Sequence, residues 1–293
     1  MHPLVTIGIP TYNRPVLLRR TLECVANQDY PNLEVIIADN CTPGSDVMVV
    51  VESYRNKIKN LRYIKRITNI GLAKNSLGLI DIASGKYFMW LADDDEITKN
   101  YVSSLVQLLE DNPDASCAMG NWVCMVNEKE KRLMKTTNLP QRSPFHRALH
   151  FVWKTDDAFC YGIHRTSLLR EVSIPDYWWP NRNSLVNTAY ILLLDIVLSG
   201  RVLLTEDQSV QWINHSYTQK YYERKESKSF IESIFIHIMR RINVHCIYWK
   251  KISQSIGFLV FIPIAFVSLI SLGKEFTLFF YGLMISFIKR EKN

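Results

Sequence analysis

The sequence predicts an α/β fold, a doubly wound and mostly parallel sheet flanked by helices, followed by a helical tail. Three observations lead there. Over residues 4–111, short apolar runs alternate with stretches of helical period, the chain order of a parallel sheet. Three of those runs end in polar clusters, at the carboxyl strand ends where such sheets bind ligands. Apolar residues make up 47% of 293, enough for a sizeable core and against global disorder.

Residues 4–9 are apolar, rich in β-branched side chains, and stop at Pro10, which reads as a buried strand. Thr11, Tyr12, Asn13 and Arg14 form a polar loop, and Pro15 opens a helix to about residue 27. Further strands are expected at 33–38, 61–65 and 87–91, with helices at 46–54, 72–83 and 99–111. Gly85 closes the third helix. The pattern then loosens. We expect a strand in 115–126, a loop over 136–145 with Pro140 and Pro144, and a strand at 159–163. Helices at 166–172 and 184–199 follow, then Gly200 and a strand at 201–204. There is no internal repeat or low-complexity segment.

The charge is uneven. Residues 1–215 hold 23 basic and 23 acidic side chains, and residues 216–293 hold 12 and 5, so the whole net charge of +7 lies in the tail. The tail is also the most apolar stretch, which favours a membrane surface and speaks against nucleic acid. Phe230, Ile231, Ile234, Phe235, Ile238 and Ile242 recur at helical spacing beside Arg240, Arg241, Lys250 and Lys251, as in a basic amphipathic helix. Residues 252–272 carry no charge and are just long enough to span a bilayer core of roughly 30 Å. Lys274 and Glu275 interrupt, and residues 276–288 are too few to span. With basic residues on both flanks, an in-plane or re-entrant hairpin on the cytoplasmic side fits best. A soluble helical cap or a homo-oligomer interface is the alternative. The six cysteines form no C-x-x-C pair, which argues against zinc and for a reducing compartment. No signal peptide is evident at the N-terminus, so the main domain is expected in the cytoplasm.

Asp93, Asp94 and Asp95 crowd one strand end and repel one another unless a cation neutralises them. Their hard oxygens suit Mg²⁺ or Mn²⁺, which in turn grip a diphosphate. An acidic helix cap is the plainer reading, but it needs one carboxylate. Asp39 ends the second strand, placed to accept hydrogen bonds from a base or ribose, or to make an Asx turn. Gly71 permits close backbone approach, and Lys74 and Asn75 stand at a helix start, where a phosphate or a capping contact fits.

Pro10-Thr11-Tyr12-Asn13-Arg14, Ala38-Asp39-Asn40, Asn69-Ile70-Gly71-Leu72-Ala73-Lys74-Asn75 and Asp93-Asp94-Asp95, in this order, resemble the family 2 glycosyltransferases of GT-A fold. The resemblance is strong over about 4–112, weaker over 113–215, and absent from 216–293. It implies a domain over 1–215, with a nucleotide-binding half (1–112) and an acceptor half (113–215), while membrane attachment through 216–293 rests on the tail's own charge and apolar pattern. It implies that Pro10, Thr11, Tyr12, Asn13, Arg14 and Asp39 hold the nucleotide, together with Gly71, Lys74, Asn75, Asp93 and Asp94. Asp93 and Asp95 form the D-x-D metal pair, with His215 as a further ligand. The catalytic base is normally an Asp near the start of the 184–199 helix, but Asn181, Asn183, Asn187 and Thr188 occupy that region here. Asp195, further along, is the expected base, with Asp157 and Asp176 in reserve. Tyr177, Trp178 and Trp179 precede that helix and suit either sugar stacking or a packed loop.

The implied activity is inverting transfer of a sugar from a nucleotide-diphosphate donor, usually uridine diphosphate, to a lipid-linked or surface glycan. It would use Mn²⁺ or Mg²⁺ at the cytoplasmic face of a bacterial membrane. Two alternatives stand beside it: transfer to a soluble or protein acceptor, and a silent sugar-nucleotide-binding scaffold, which the missing base motivates.

Overall fold

The computed structural model describes residues 2–126, 130–134, 138–154, 158–172, 185–205, 210–214, 230–257 and 261–290. Its first half runs β1 (Val5–Thr11), α1 (Pro15–Ala26), β2 (Leu33–Asp39), α2 (Asp46–Glu52), β3 (Leu61–Lys65), α3 (Leu72–Ile82), β4 (Tyr87–Trp90), β5 (Glu96–Ile97) and α4 (Tyr101–Asp111). Then come β6 (Ala115–Met119), β7 (Asn121–Val126), β8 (Glu130–Met134), α5 (Pro144–Lys154), a 3-10 turn (Ala158–Tyr161), β9 (Ile163–Arg165), α6 (Thr166–Glu171), α7 (Leu185–Ser199), β10 (Arg201–Leu204) and β11 (Val210–Asn214). Two long helices end the chain, α8 (Phe230–Ile256) and α9 (Phe261–Arg290).

Seven strands form the main sheet in the order β10-β6-β9-β4-β1-β2-β3. The β1–β2, β1–β4, β2–β3 and β10–β6 pairs are parallel, and β9 runs antiparallel to both its neighbours. A smaller sheet has the order β5-β11-β7-β8. Strand alternation sends side chains to two separate cores. Ile7, Val35, Ile37 and Met89 face α1, α2 and α4. Ile36, Ala38, Phe88 and Trp90 face the side of α3, α5 and α7. Helix α1 buries Leu18, Leu22 and Val25, one stripe at 3.6-residue spacing. Each such fully buried aliphatic side chain contributes about 1.5–3 kcal/mol.

This is the expected fold, with the predicted strands and helices of the first half within two residues of their positions, and the two-residue β5 as an unexpected addition. The later half needs correction. Residues 159–163 are mostly the 3-10 turn, and the strand follows it. The 115–126 run is two strands either side of Gly120, and the expected loop at 136–145 gives way to α5 at Pro144. The apolar run 252–272 does not form one helix. Gly257, at φ +107°, ends α8, and a new helix starts at Phe261. Among the described residues no helix is long and apolar enough to cross a membrane. The tail also joins the domain core, where Val244, Tyr248, Ile252 and Ile264 pack with residues of α5 and α7.

Candidate active site

The parallel register sets the site. Thr11 of β1 lies level with Asp39 of β2, and Gly8 lies level with Trp90 of β4. The chain leaving β4 stays beside β1, because the Leu91 N–H donates to the Gly8 carbonyl at 3.1 Å. Three polar loops therefore emerge side by side from the sheet's carboxyl edge.

The first cluster joins β1 to the acidic loop. The Thr11 hydroxyl donates to Asp93 Oδ2 at 2.7 Å. Arg14 Nη1 bridges Asp93 Oδ1 and Asp94 Oδ2, both at 3.1 Å. Asp93 and Asp95 are buried. Burial pushes the Asp93 carboxyl up to about 6, against the pull of Arg14. The loop is fixed from behind by the Thr21 hydroxyl, which donates to the Asp95 carbonyl at 2.9 Å. The arrangement is a largely desolvated anionic pocket in which Arg14 bridges two of the carboxylates.

The second cluster surrounds Asp39, which is fully buried. Its Oδ1 accepts from the Thr42 N–H at 2.8 Å and its Oδ2 from the Tyr63 hydroxyl at 2.7 Å. Asn13 adopts φ +55°, unusual for a residue with a side chain, and its N–H donates to the Thr42 hydroxyl at 2.8 Å. Asp39 thus braces the β1 and β2 loops against each other, as in the turn reading.

The third cluster is an amide clasp. Asn40 Nδ2 donates to Asn69 Oδ1 at 2.9 Å, and Asn40 Oδ1 accepts from the Ile70 N–H at 2.9 Å. The Gly71 N–H donates to Asn69 Oδ1 at 3.0 Å. Gly71 has φ +85°, a conformation that favours glycine, and it leads into α3. Asn75 is buried and donates to the Ala38 carbonyl at 2.7 Å, while Arg66 Nε donates to its Oδ1 at 3.1 Å. Lys74, one residue earlier, faces solvent.

The structure therefore brings Pro10–Arg14, Asp39, Gly71, Asn75 and Asp93–Asp95 to one edge of the sheet. It seats Asp195 elsewhere. Asp195 is ion-paired with Lys251 of α8. The next residue, Ile196, receives the Ser116 hydroxyl on its carbonyl at 2.7 Å, near the amino end of β6. The site loops lie at the carboxyl ends, so Asp195 holds the tail to the domain. The apolar run around it needed a partner for a carboxylate, and a lysine from the tail supplies it. His215, Asp157, Asp176 and the aromatic group Tyr177, Trp178 and Trp179 lie outside the described residues. Among the described residues no group of three or more His, Cys, Asp or Glu is arranged to hold a metal.

Sequence reasoning missed Thr42, Tyr63 and Arg66. Thr42 and Tyr63 act through Asp39, and Arg66 acts through Asn75. Tyr63 and Arg66 reach their partners from other elements, so nothing in their spacing marks them, whereas Thr42 stands three residues after Asp39, within the turn the sequence suggests there.

The glycosyl transferase family 2 model matches residues 6–173. The GalNAc(5)-diNAcBac-PP-undecaprenol beta-1,3-glucosyltransferase of Campylobacter jejuni is 31% identical over 187 residues, covering 62% of this chain and 58% of that protein. The matches thus span less than two thirds of these curated relatives. S. aureus TarS 1–349, solved in complex with UDP-GlcNAc, superposes with a TM-score of 0.58 at 17% identity, over 87% of this chain and 73% of that one. Mannosyltransferase PcManGT from Pyrobaculum calidifontis, in complex with GDP-Man and Mn²⁺, superposes with a TM-score of 0.55 at 15% identity, over 98% and 81%. At these identities the structures establish a shared GT-A fold.

Proposed function

The chain belongs to glycosyl transferase family 2, and from that premise we propose that it transfers a sugar from a uridine diphosphate donor to a lipid-linked glycan, with inversion at the anomeric carbon. The observation that carries this reading is the strand-edge site itself. A desolvated pair of carboxylates, Asp93 and Asp94, shares Arg14 beside an amide-lined cradle at Gly71. The nucleoside would lie against the Pro10–Asn13 loop, with Asp39 holding the loop in shape from beneath. Lys74, exposed at the start of α3, would face the diphosphate. The uridine choice draws support from the UDP-GlcNAc complex of TarS, and the acceptor class from the polyprenyl diphosphate in the Campylobacter relative's name.

The acidic loop fits a hard divalent cation, because its donors are clustered carboxylate oxygens, one of them almost fully buried. Asp93 and Asp95 would hold Mn²⁺ or Mg²⁺, with His215 as a further ligand. Such an ion supplies charge neutralisation of the departing diphosphate. The Mn²⁺ in the PcManGT complex agrees with this choice. The acceptor hydroxyl needs a base. Asp195 is tied to Lys251, which leaves Asp157 and Asp176 as the carboxylates to test. An acceptor carried on lipid would keep the enzyme at the cytoplasmic face of the membrane, where the basic tail serves as the attachment.

The test is transfer from UDP-glucose or UDP-N-acetylglucosamine to a synthetic polyprenyl-diphosphate glycan in Mn²⁺, read by mass spectrometry and by the product's anomeric coupling constant. A product of inverted configuration, lost on chelation, is expected. No transfer from any UDP-sugar, or retained configuration, would refute the reading.

A further inference from the structure

Helix α9 is buried on one side and exposes an apolar stripe on the other. Its inner side, with Ile264, Ser268, Ser271 and Leu272, is buried against the domain. Its outer side exposes Ile262 (77%), Phe266 (64%), Leu269 (61%) and Ile270 (41%), at the i, i+4, i+7, i+8 spacing of one stripe. No charged residue lies between Phe261 and Gly273. A helix lying on a domain in water normally carries charges on its outer side, and this one does not. At the end of the stripe, Lys274 Nζ sits 5.9 Å from the centroid of the half-exposed Trp153 ring of α5. Lys154, next to that tryptophan, is exposed. Tryptophan beside lysine at the rim of an apolar stripe is the arrangement found at the headgroup level of membranes.

We propose that this outer stripe of α9 is a monotopic membrane-docking face, inserted shallowly into the headgroup and acyl boundary of an anionic bilayer with the helix axis in the membrane plane. Two observations choose a bilayer over a second copy of the chain. Among the described residues the stripe runs from Ile262 to Ile270, about 12 Å, so its footprint is on the order of 200 Å². A stable dimer needs about 800 Å² per partner, whereas a few large apolar side chains suffice for interfacial insertion. The charge is also complementary, because the tail carries the chain's entire excess of +7. This deepens the lipid-acceptor reading by naming the surface that faces the lipid, but the docking stands or falls without donor or acceptor.

The experiment is flotation of the full chain with vesicles of phosphatidylglycerol and phosphatidylethanolamine, and with phosphatidylcholine alone. The double variant Phe266→Glu, Leu269→Glu is compared with Val49→Glu, an equally exposed apolar position on α2. Wild type and Val49→Glu should float with anionic vesicles, more weakly at high salt and on phosphatidylcholine. The double variant should lose binding by about a hundredfold, with an unchanged melting curve because both side chains point outward. Absence of wild-type binding, or equal binding by the double variant, overturns the proposal. A wild-type dimer that the double variant dissolves, without vesicle binding by either, assigns the stripe to a second copy and also overturns it. Transfer assayed in detergent on the same preparations separates the claims. Transfer by wild type without vesicle binding by wild type sinks the docking alone, and vesicle binding by wild type without transfer sinks the functional reading alone.

Discussion

Asp93→Asn should make the metal-free protein more stable while removing its capacity to bind donor. Asp93 is buried and its carboxyl is pushed up to about 6, from an ordinary value of 3.8. A carboxyl that holds its proton more tightly in the fold than in the unfolded chain favours the fold most below pH 4. That contribution is lost as pH rises through about 4 to 6. About two units at 1.36 kcal/mol each put the cost of the ionised form near 3 kcal/mol at neutral pH. An asparagine keeps the shape, accepts from Arg14 through its oxygen, and offers its amide to the Thr11 hydroxyl. In chelator, urea unfolding followed by circular dichroism should show the variant about 1–3 kcal/mol more stable at pH 8. The advantage should shrink toward zero at pH 4. Calorimetry should show its donor binding gone. A variant no more stable than wild type at pH 8, with the same dependence on pH, would refute the claim that the acidic loop is held under electrostatic strain.

Lys251→Met should cost about 2 kcal/mol by removing the ion pair between the tail and the half-buried Asp195, seen as a lower unfolding midpoint with donor binding unchanged. Asp195→Asn should retain most transfer; a loss of a thousandfold or more at unchanged stability would restore Asp195 as the base. His164 is fully buried, and burial lowers its imidazole to about 4. The unfolded chain therefore takes up the proton first, and stability falls as pH drops from about 6.5 to 4, by up to about 3 kcal/mol. His164→Phe should flatten that part of the pH profile, and an unchanged slope would contradict it. Gly71→Ala should cost about 1 kcal/mol from its left-handed backbone and weaken UDP binding; neither effect would mean that the Gly71 turn is unimportant to the cradle.

The first half of the fold was legible in the sequence because its signals are local. Each parallel strand is a short apolar run, and each connection to a helix begins with residues that reveal their turn or cap, as Pro15 and Gly71 do. Strand ends then placed Thr11, Asp39 and Asp93 together without knowledge of any contact. The second half was less legible because its strands depend on partners far away in the chain. β9 has three residues and exists by pairing with β4 and β6. β11 pairs with β5 and β7, across more than 85 residues. The role of Asp195 was illegible for the same reason, since Lys251 lies 56 positions later. The tail's helical character was legible but its break was not: the sequence puts it at Lys274 and Glu275, whereas α9 runs through both charges and Gly257 resets the helix where hydropathy alone ran straight through.

Titration of the purified full chain with UDP, with and without Mn²⁺, tests the central claim most directly. Wild type should bind UDP in Mn²⁺ and lose most of that binding in chelator, and Asp95→Ala should bind no better in Mn²⁺ than without it. Binding by Asp95→Ala that responds to Mn²⁺ like wild type, or no binding of UDP by wild type, would contradict the account of the strand-edge site.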